Sequence, residues 1–542
     1  MAELPDGNNG KIRVADVTLA QLSRGLYRST ATAFKELVSN AFDADAPEVR
    51  IDTNFPEFDF ISCADNGHGM PLGQFLRYFE GEGIGSCSKR KGNTDATEMG
   101  RPVIGRLGIG MMAIGQLCHS FEIESHYEEG GKKDAYRATI VLADFDVPDI
   151  EATIRNEKEA KQVEVGKWSY VRIDYEEKKK GFAISSSDVR KTFTREMKES
   201  VKEVRTKMSF KLDEIHKQFY EGSLKSIRDR GAYLETIWEL ATLCPLPYYG
   251  KIDSHPINTA AFDAGDRDSD EFKRAIELIR QRQKRLLDHD FRVVFDGIEL
   301  KRLVQLPTKP EVISRLYFMQ FDGNVFGSPL KFAGYLFAQI GCAVRPPELN
   351  GVQIRLRDVG IGGYDSTYLR YAKEIETIRS RWVSGEIFVD TGLEPALNLD
   401  RDSFNEHDEH FKKLQRELHH KLGTVFNEIE RVAASGREKR RDSEEKEVQD
   451  QLKRVLQKGS QGKYKLRQRE LGRDEPVVVP DDERGEIIVN TSARPLRKKK
   501  ARRILTAAMV AYHTASRTAK GDEQKREKAF YKLLMEILDN LV

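Results

Sequence analysis

Glu36, Asn40 and Asp43 fall at intervals of four and three residues, so a helix through them lines a carboxylate, an amide and a second carboxylate along one stripe. A carboxylate so placed can take a proton from water, and an amide oxygen can ligate a hard cation. Ala33, Phe34, Leu37, Val38, Ala41 and Phe42 recur at helical spacing and supply the apolar stripe of the same helix. A surface helix whose polar side happens to be Glu, Asn and Asp fits this spacing equally well; two motifs downstream decide against it.

The first follows a strand-like run from Phe58 to Ala64 and reads Asp65-Asn66-Gly67-His68-Gly69-Met70. Glycines at a strand's end let the backbone turn sharply and approach a ligand closely. Asp65 at that end can accept a hydrogen bond from an exocyclic amine, and Gly69 with Met70 leaves a flat apolar slot for a ring. An Asp-Asn-Gly turn alone explains the same residues. His68 is read as a loop residue. The second motif, Gly105 to Gly110, opens a helix-like run from Met111 to Cys118. Glycines before a helix start expose backbone N–H groups suited to phosphate. No Gly-x-x-x-x-Gly-Lys-Ser/Thr occurs in the chain, which excludes a P-loop.

Together and in this order, the three motifs resemble the boxes of the GHKL ATPases: DNA gyrase B, heat-shock protein 90, histidine kinases and MutL. The resemblance implies an α+β chain. Its N-terminal part would be a GHKL (Bergerat) α/β sandwich, with ATP between sheet and helices under a mobile lid. Glu36 would activate the attacking water and Asn40 would ligate Mg²⁺. Asp43 would support the water network, and Asp65 would read the adenine amine beside Gly67, Gly69 and Met70. Gly105, Gly108 and Gly110 would cradle the phosphates. The lid would be the Gly-rich stretch from Gly81 to Gly100, in which Lys89 could reach a phosphate or remain a solvated charge. The family's Gly-Thr strand start would correspond to Trp168-Ser169, with the Ser169 hydroxyl standing in for Thr.

Further along, Leu397-Asn398-Leu399-Asp400-Arg401 looks like the middle-domain loop of heat-shock protein 90, which carries an arginine into the ATP pocket; Asp400 replaces its usual Ser. The resemblance therefore assigns Arg401 to the γ-phosphate, or the pair Asp400–Arg401 is a surface turn. It covers roughly residues 16–405, and together with the charge and helical pattern of segments that look inserted it gives an expected organisation: an ATP-binding domain over 1–245 with a helical insertion near 185–230, an inserted connector over 246–289 that is charged and helical in pattern, and an α/β middle, transducer-like domain over 290–404. A helix over 405–434, a charged connector over 435–500 and a helical hairpin over 501–542 complete the chain.

Charged residues make up 32% of the 542, and the net charge is only +2, so overall charge points to neither nucleic acid nor membrane. No apolar run is long enough to span a bilayer, and the N-terminal residues lack a signal core. Five scattered cysteines suggest reduced thiols in a cytoplasmic setting. Near the end, Phe530, Leu533, Leu534, Ile537, Leu538 and Leu541 form a stripe too apolar for water. Two such hairpins would make a four-helix bundle, hence an expected homodimer joined at its C-terminal helices and closed N-terminally by ATP. The basic run Arg494 to Arg503 could bind nucleic acid, or serve as a solvated connector. Two functions remain: a heat-shock-protein-90-like clamp on protein clients, or a MutL- or MORC-like clamp on nucleic acid. A histidine kinase is disfavoured, because no phosphoacceptor His precedes the first box.

Overall fold

The computed structural model describes residues 8–14, 29–79, 96–104, 110–142, 163–203, 211–220, 226–250, 256–257, 259, 262–306, 312–371, 377–398, 402–459, 465–472, 476, 478–490, 499–519 and 521–541. Mixed α/β structure divides into two units, Met1–Ile429 and Glu430–Val542.

In the first unit the first sheet contains β1 (Asn8–Val14), β2 (Glu48–Asp52), β3 (Ile61–Asp65), β4 (Ser120–Glu129), β5 (Lys132–Leu142), β6 (Val163–Ile173), β7 (Gly181–Ser186), β8 (Arg292–Phe295) and β9 (Ile298–Glu299). Their order is β1-β6-β5-β4-β7-β3-β2-β8-β9. Every pairing is antiparallel except β2 with β8. Among the described residues the longer helices of this part are α1 (Thr30–Asp43), α2 (Leu72–Phe79), α3 (Lys191–Glu203), α4 (Leu212–Tyr220), α5 (Ala232–Leu243) and α6 (Asp270–Asp288). A second sheet is built from β10 (Ile313–Val325), β11 (Ser328–Ile340), β12 (Gly351–Leu356), β13 (Val359–Asp365) and β14 (Val383–Thr391), ordered β10-β11-β14-β12-β13. One buried core runs from α1 through the first sheet to Tyr335, Phe337 and Phe388 of the second.

Helix α1 begins at Ser29, whose extended backbone and side chain cap the helix by accepting the Thr32 N–H. It ends at Ala44, and Asp45 then takes a positive φ of 53°. Its apolar stripe packs edge-on against aromatic rings, Phe34 on Phe295 at 6.0 Å and Phe42 on Phe291 at 5.1 Å. The polar side is buried too: Lys35 and Glu36 are each 1% exposed. The alternative of a surface helix is therefore wrong, because α1 is covered on nearly all sides.

Two expected boundaries shift. The middle domain was expected from residue 290, but β8 and β9 complete the first sheet, where Val49 pairs with Val293 and Ile51 with Phe295. Residues 246–289, expected as an inserted connector, include α6, which buries Phe272, Ala275, Ile276, Ile279 and Leu286. These recur at helical spacing and make α6 a core helix despite its charge. The second sheet proper starts at Ile313.

Helix α7 (Glu409–Gly459) begins in the first unit and continues well past Ala434. Residues 435–459 are rich in Glu, Lys, Arg and Gln and contain no proline, so the helix has no reason to stop. In the second unit, β15 (Lys465–Arg469), β16 (Val478–Asp481) and β17 (Glu486–Asn490) form a sheet in the order β15-β17-β16. Among its described residues, the expected charged connector over 435–500 thus holds a helix continuation followed by a small sheet. Helices α8 (Lys499–Thr518) and α9 (Glu523–Leu541) pair as a hairpin, with Phe530 against Tyr512 at 6.1 Å and Leu533 7% exposed. The side chains of Leu534, Ile537, Leu538 and Leu541, and the basic residues 494–498, lie outside the described set.

One buried charge ties the two sheets of the first unit together. Glu386 on β14 is fully buried; it accepts from Arg355 Nε at 2.5 Å and from the hydroxyls of Tyr335 at 2.7 Å and Tyr248. Arg302, just past β9, lies 3.8 Å from the same carboxylate and stacks on Tyr248. Burial would raise the Glu386 pKa, but Arg355 and Arg302 hold it down to about 2. Its stabilising contribution is therefore present above the ordinary carboxylate range and lost as pH falls toward about 2. Glu386→Gln leaves two buried guanidiniums without a counter-charge. It should lower stability at neutral pH by about 3–5 kcal/mol in a denaturant titration.

Candidate active site

Glu36, Asn40 and Asp43 lie on α1 at the expected spacing, with Glu36 buried and Asn40 half-buried. Asp43 is already engaged: its Oδ1 accepts the Ile104 N–H at 2.7 Å, just before the glycine motif. Burial, and to a lesser extent the charge of Glu36, raise the Tyr78 phenol pKa. Gly110 opens a 3₁₀ segment, Gly110–Gln116, which packs against α1 through buried Ala113 and Ile114. The expected helix over Met111 to Cys118 is tighter and shorter, in keeping with the poor helix formers Gly110 and Gly115. Lys89, Gly105, Gly108, Arg401 and the lid residues 81–95 lie outside the described residues.

Asp65 ends β3, and its carboxylate accepts the Gly67 N–H at 2.9 Å. The turn abuts the C-terminal end of α1: a Cβ on Gly67 would come within 2.5 Å of the Ala44 carbonyl oxygen. Gly69 has φ +71°, and a Cβ there would meet the His126 carbonyl at 2.7 Å. Ser125 fixes Met70 by accepting its N–H and donating to its carbonyl, both at 2.9 Å. The motif's glycines are thus required by close backbone approach, and they hold Asp65 beside α1.

Ser169 does not join this group. It sits on β6, paired with Asn9 and Thr139, and β5, β4 and β7 intervene before β3. Four strand spacings put it roughly 19 Å from Asp65's strand. The strand beside Asp65 is β7, where Asp65 pairs with Phe182 and where a Cβ on Gly181 would meet the Asp65 carbonyl at 2.0 Å. Trp168-Ser169 resembled the family's strand start in sequence, but it occupies a different strand.

Several contacts around these residues were not foreseen. Asp45 accepts from the Thr97 hydroxyl at 2.5 Å and the Met99 N–H at 3.2 Å, anchoring the last residues of the expected lid. Arg101 is 1% exposed; it donates to the carbonyls of Ala46 and His289, each at 2.8 Å, and lies over the Phe42 and Phe291 rings. Arg357, in the β12–β13 turn, donates to the Val103 carbonyl at 2.7 Å, so the second sheet reaches the entrance of the glycine motif.

The loop after β14 also meets α1. Leu397 bridges to Phe404, and Asn398 closes the turn by donating from its backbone to the Ser403 carbonyl at 3.0 Å and from its amide to the Ser403 hydroxyl at 2.9 Å. Asp402 then accepts from Lys35 Nζ at 2.5 Å and from the Thr32 hydroxyl at 3.0 Å. Ser29, the cap of α1, donates to Glu239 of α5 at 2.6 Å.

Residues 27–164, which hold all three motifs, match the family model of the Histidine kinase-, DNA gyrase B-, and HSP90-like ATPases. The segment is a GHKL-type ATPase domain. A curated relative, the putative type II restriction enzyme HgiDII of Herpetosiphon aurantiacus, is 40% identical over 112 residues. That match covers 20% of this chain and 16% of the relative. A solved N terminal domain of a DNA repair protein aligns with 77% of this chain and 99% of its own at TM-score 0.36 and 11% identity, too distant a likeness to carry argument.

Burial pushes the Asp65 carboxyl up to about 6, against the opposing N–H groups of Gly67 and Phe182. A folded pKa above the unfolded one means that the stability it contributes is present below the ordinary Asp range and lost as pH rises through about 6. On the adenine role that the resemblance assigns to Asp65, ionisation strengthens the hydrogen bond it accepts from the amine, so adenine-nucleotide affinity should rise over the same interval. Calorimetry from pH 5 to pH 8 should show this rise in the wild type. Asp65→Asn should bind weakly at every pH.

Proposed function

We propose that this chain binds Mg·ATP on the α1–β3 face, hydrolyses it slowly, and uses nucleotide to close a homodimeric clamp on nucleic acid. The observation that supports the ATP reading is that α1, which carries Glu36 and Asn40, abuts at its C-terminal end the turn that follows Asp65, inside the ATPase-family segment. Glu36 holds the attacking water and takes its proton. The Asn40 amide oxygen would hold Mg²⁺, a hard cation that takes oxygen ligands. When bound, Mg²⁺ offsets phosphate charge. Asp65 orients the adenine, the glycine motif receives the phosphates, and Arg401 meets charge as the phosphate departs.

The nucleic-acid reading is supported by the relative named as a putative restriction enzyme and by the basic run 494–503. The second reading, a heat-shock-protein-90-like clamp on protein clients, is favoured by the Leu397-Asn398 loop, which the structure closes on Ser403. In either case α8 and α9 supply the constitutive dimer contact.

Glu36→Ala should retain ATP affinity and lose turnover by ~10²–10⁴-fold in a phosphate-release assay. Normal turnover in that variant would remove Glu36 from the mechanism. Duplex DNA binding should tighten with a non-hydrolysable ATP analogue and weaken steeply as salt rises. Binding absent at low salt with the analogue present would favour the protein-client reading.

A further inference from the structure

We propose that a cavity between α1, α5 and the second sheet is a binding site for a small organic dication, one that carries amino or guanidino groups. The cavity has a volume of about 580 Å³, and every residue that lines it belongs to the first unit. That volume suits an organic ligand and is far more than a bare metal ion needs. From α1 it takes Ser29 and Thr32, at the N-terminal end of the helix. Ala44, which abuts the Asp65 turn, comes twelve residues after Thr32, or roughly 18 Å along the helix axis. The cavity is therefore apart from the adenine motif, and it does not depend on the ATPase reading.

Its walls are acidic. Trp238 and Glu239 follow Glu235 by three and four residues, so one face of α5 brings two carboxylates and an indole to the cavity. Glu348 comes from the segment before β12, and Asp402 from the loop after β14. Two of these carboxylates are answered: Lys35 pairs with Asp402 at 2.5 Å, and Arg228 Nε lies 3.4 Å from Glu235. Among the described residues Glu239 and Glu348 form no ion pair. Glu239 accepts from the Ser29 hydroxyl at 2.6 Å, and Glu348 Oε1 accepts the Ile227 N–H at 2.8 Å. Glu348 Oε2 is buried and has no hydrogen-bond partner among the described residues. An oxygen left so costs free energy that a donor on a ligand would recover.

The carboxylates share one field. Burial, then repulsion from Glu348, raises the Glu235 carboxyl above its usual range against Arg228. Burial, then repulsion from Glu235 and Asp402, raises that of Glu239 against Ser29 and Arg228. A phosphate would be repelled here, so the cavity is not a second nucleotide pocket. Trp238 adds an aromatic surface of the kind that attracts amino and guanidino cations. A dication supplies what Glu239 and Glu348 lack.

The test titrates agmatine, which has one amino and one guanidino group, into the full chain by calorimetry without nucleotide. Saturable binding at one site per chain is expected, with a thermal midpoint that rises with agmatine. Glu239→Gln and Glu348→Gln keep the shape and can still accept from Ser29 and Ile227. Each should weaken binding between about 10- and 100-fold, and either suffices if the other does not fold. Glu299→Gln, which removes an exposed carboxylate beside Lys301 and outside the cavity, should leave affinity unchanged. Because the cation favours ionised Glu235 and Glu239, binding should release protons and weaken as pH is lowered. A wild-type chain that takes up no agmatine would overturn the proposal. Equal weakening by Glu299→Gln would do the same. Mg²⁺ alone binding at Glu239 and Glu348 and excluding agmatine would overturn the organic cation.

Discussion

Burying a helix that carries ionic side chains is the constraint on which the first unit depends. Leaving an ion unpaired in a dry interior costs several kcal/mol, so each polar group on α1 must find a partner from elsewhere in the fold. The partners come from far along the chain: Asp402 for Lys35 and Thr32, Glu239 for Ser29, and the Ile104 N–H for Asp43. The helix that holds the candidate base is thus a meeting point for the post-β14 loop, α5 and the residues leading into the glycine motif. Satisfying α1 electrostatically and assembling the site are the same event.

The second sheet is joined to the first by a comparable device. Glu386 draws Arg355 from β12, Tyr335 from β11, and Arg302 and Tyr248 from the residues flanking α6 and β9. Arg355 also donates to the Thr242 carbonyl at the end of α5. Arg357 and Asp402 extend this contact to either side of the nucleotide face, one at Val103 and the other at Lys35. A shift of Val103 or of Lys35 would thus be felt at the second sheet.

The local parts of the site were legible because their chemistry is written in short spacings. Glu36, Asn40 and Asp43 need only helical periodicity, and Gly67 and Gly69 announce a backbone that must pass close to another. What escaped was set by distance in sequence. Nothing in Lys35 foretells Asp402, and Arg101 reads as one more surface cation until Phe42, Phe291 and the Ala46 carbonyl surround it. The core role of helix α6 was hidden by its charge, although its apolar residues keep the helical period. Ser169 was misplaced because strand order cannot be read from a dipeptide: β6 and β7 are successive in sequence yet separated in the sheet by β5 and β4.

The parallel pairing of β2 with β8 has a consequence for biosynthesis. Residues 48–51 hydrogen-bond with residues 292–295, so the sheet that carries Asp65 closes only after most of the first unit has been made. At ribosomal rates of roughly 5–20 residues per second, β2 waits for tens of seconds with one edge unpaired. Such an edge is a template for unwanted strand addition. Arg50 and Glu48, paired at 2.5 Å on that strand, place charge along it. Nascent chains of this protein therefore pass through a prolonged stage in which the first two motifs are complete but their sheet is open. During that stage, holdase binding and aggregation compete for the same exposed edge.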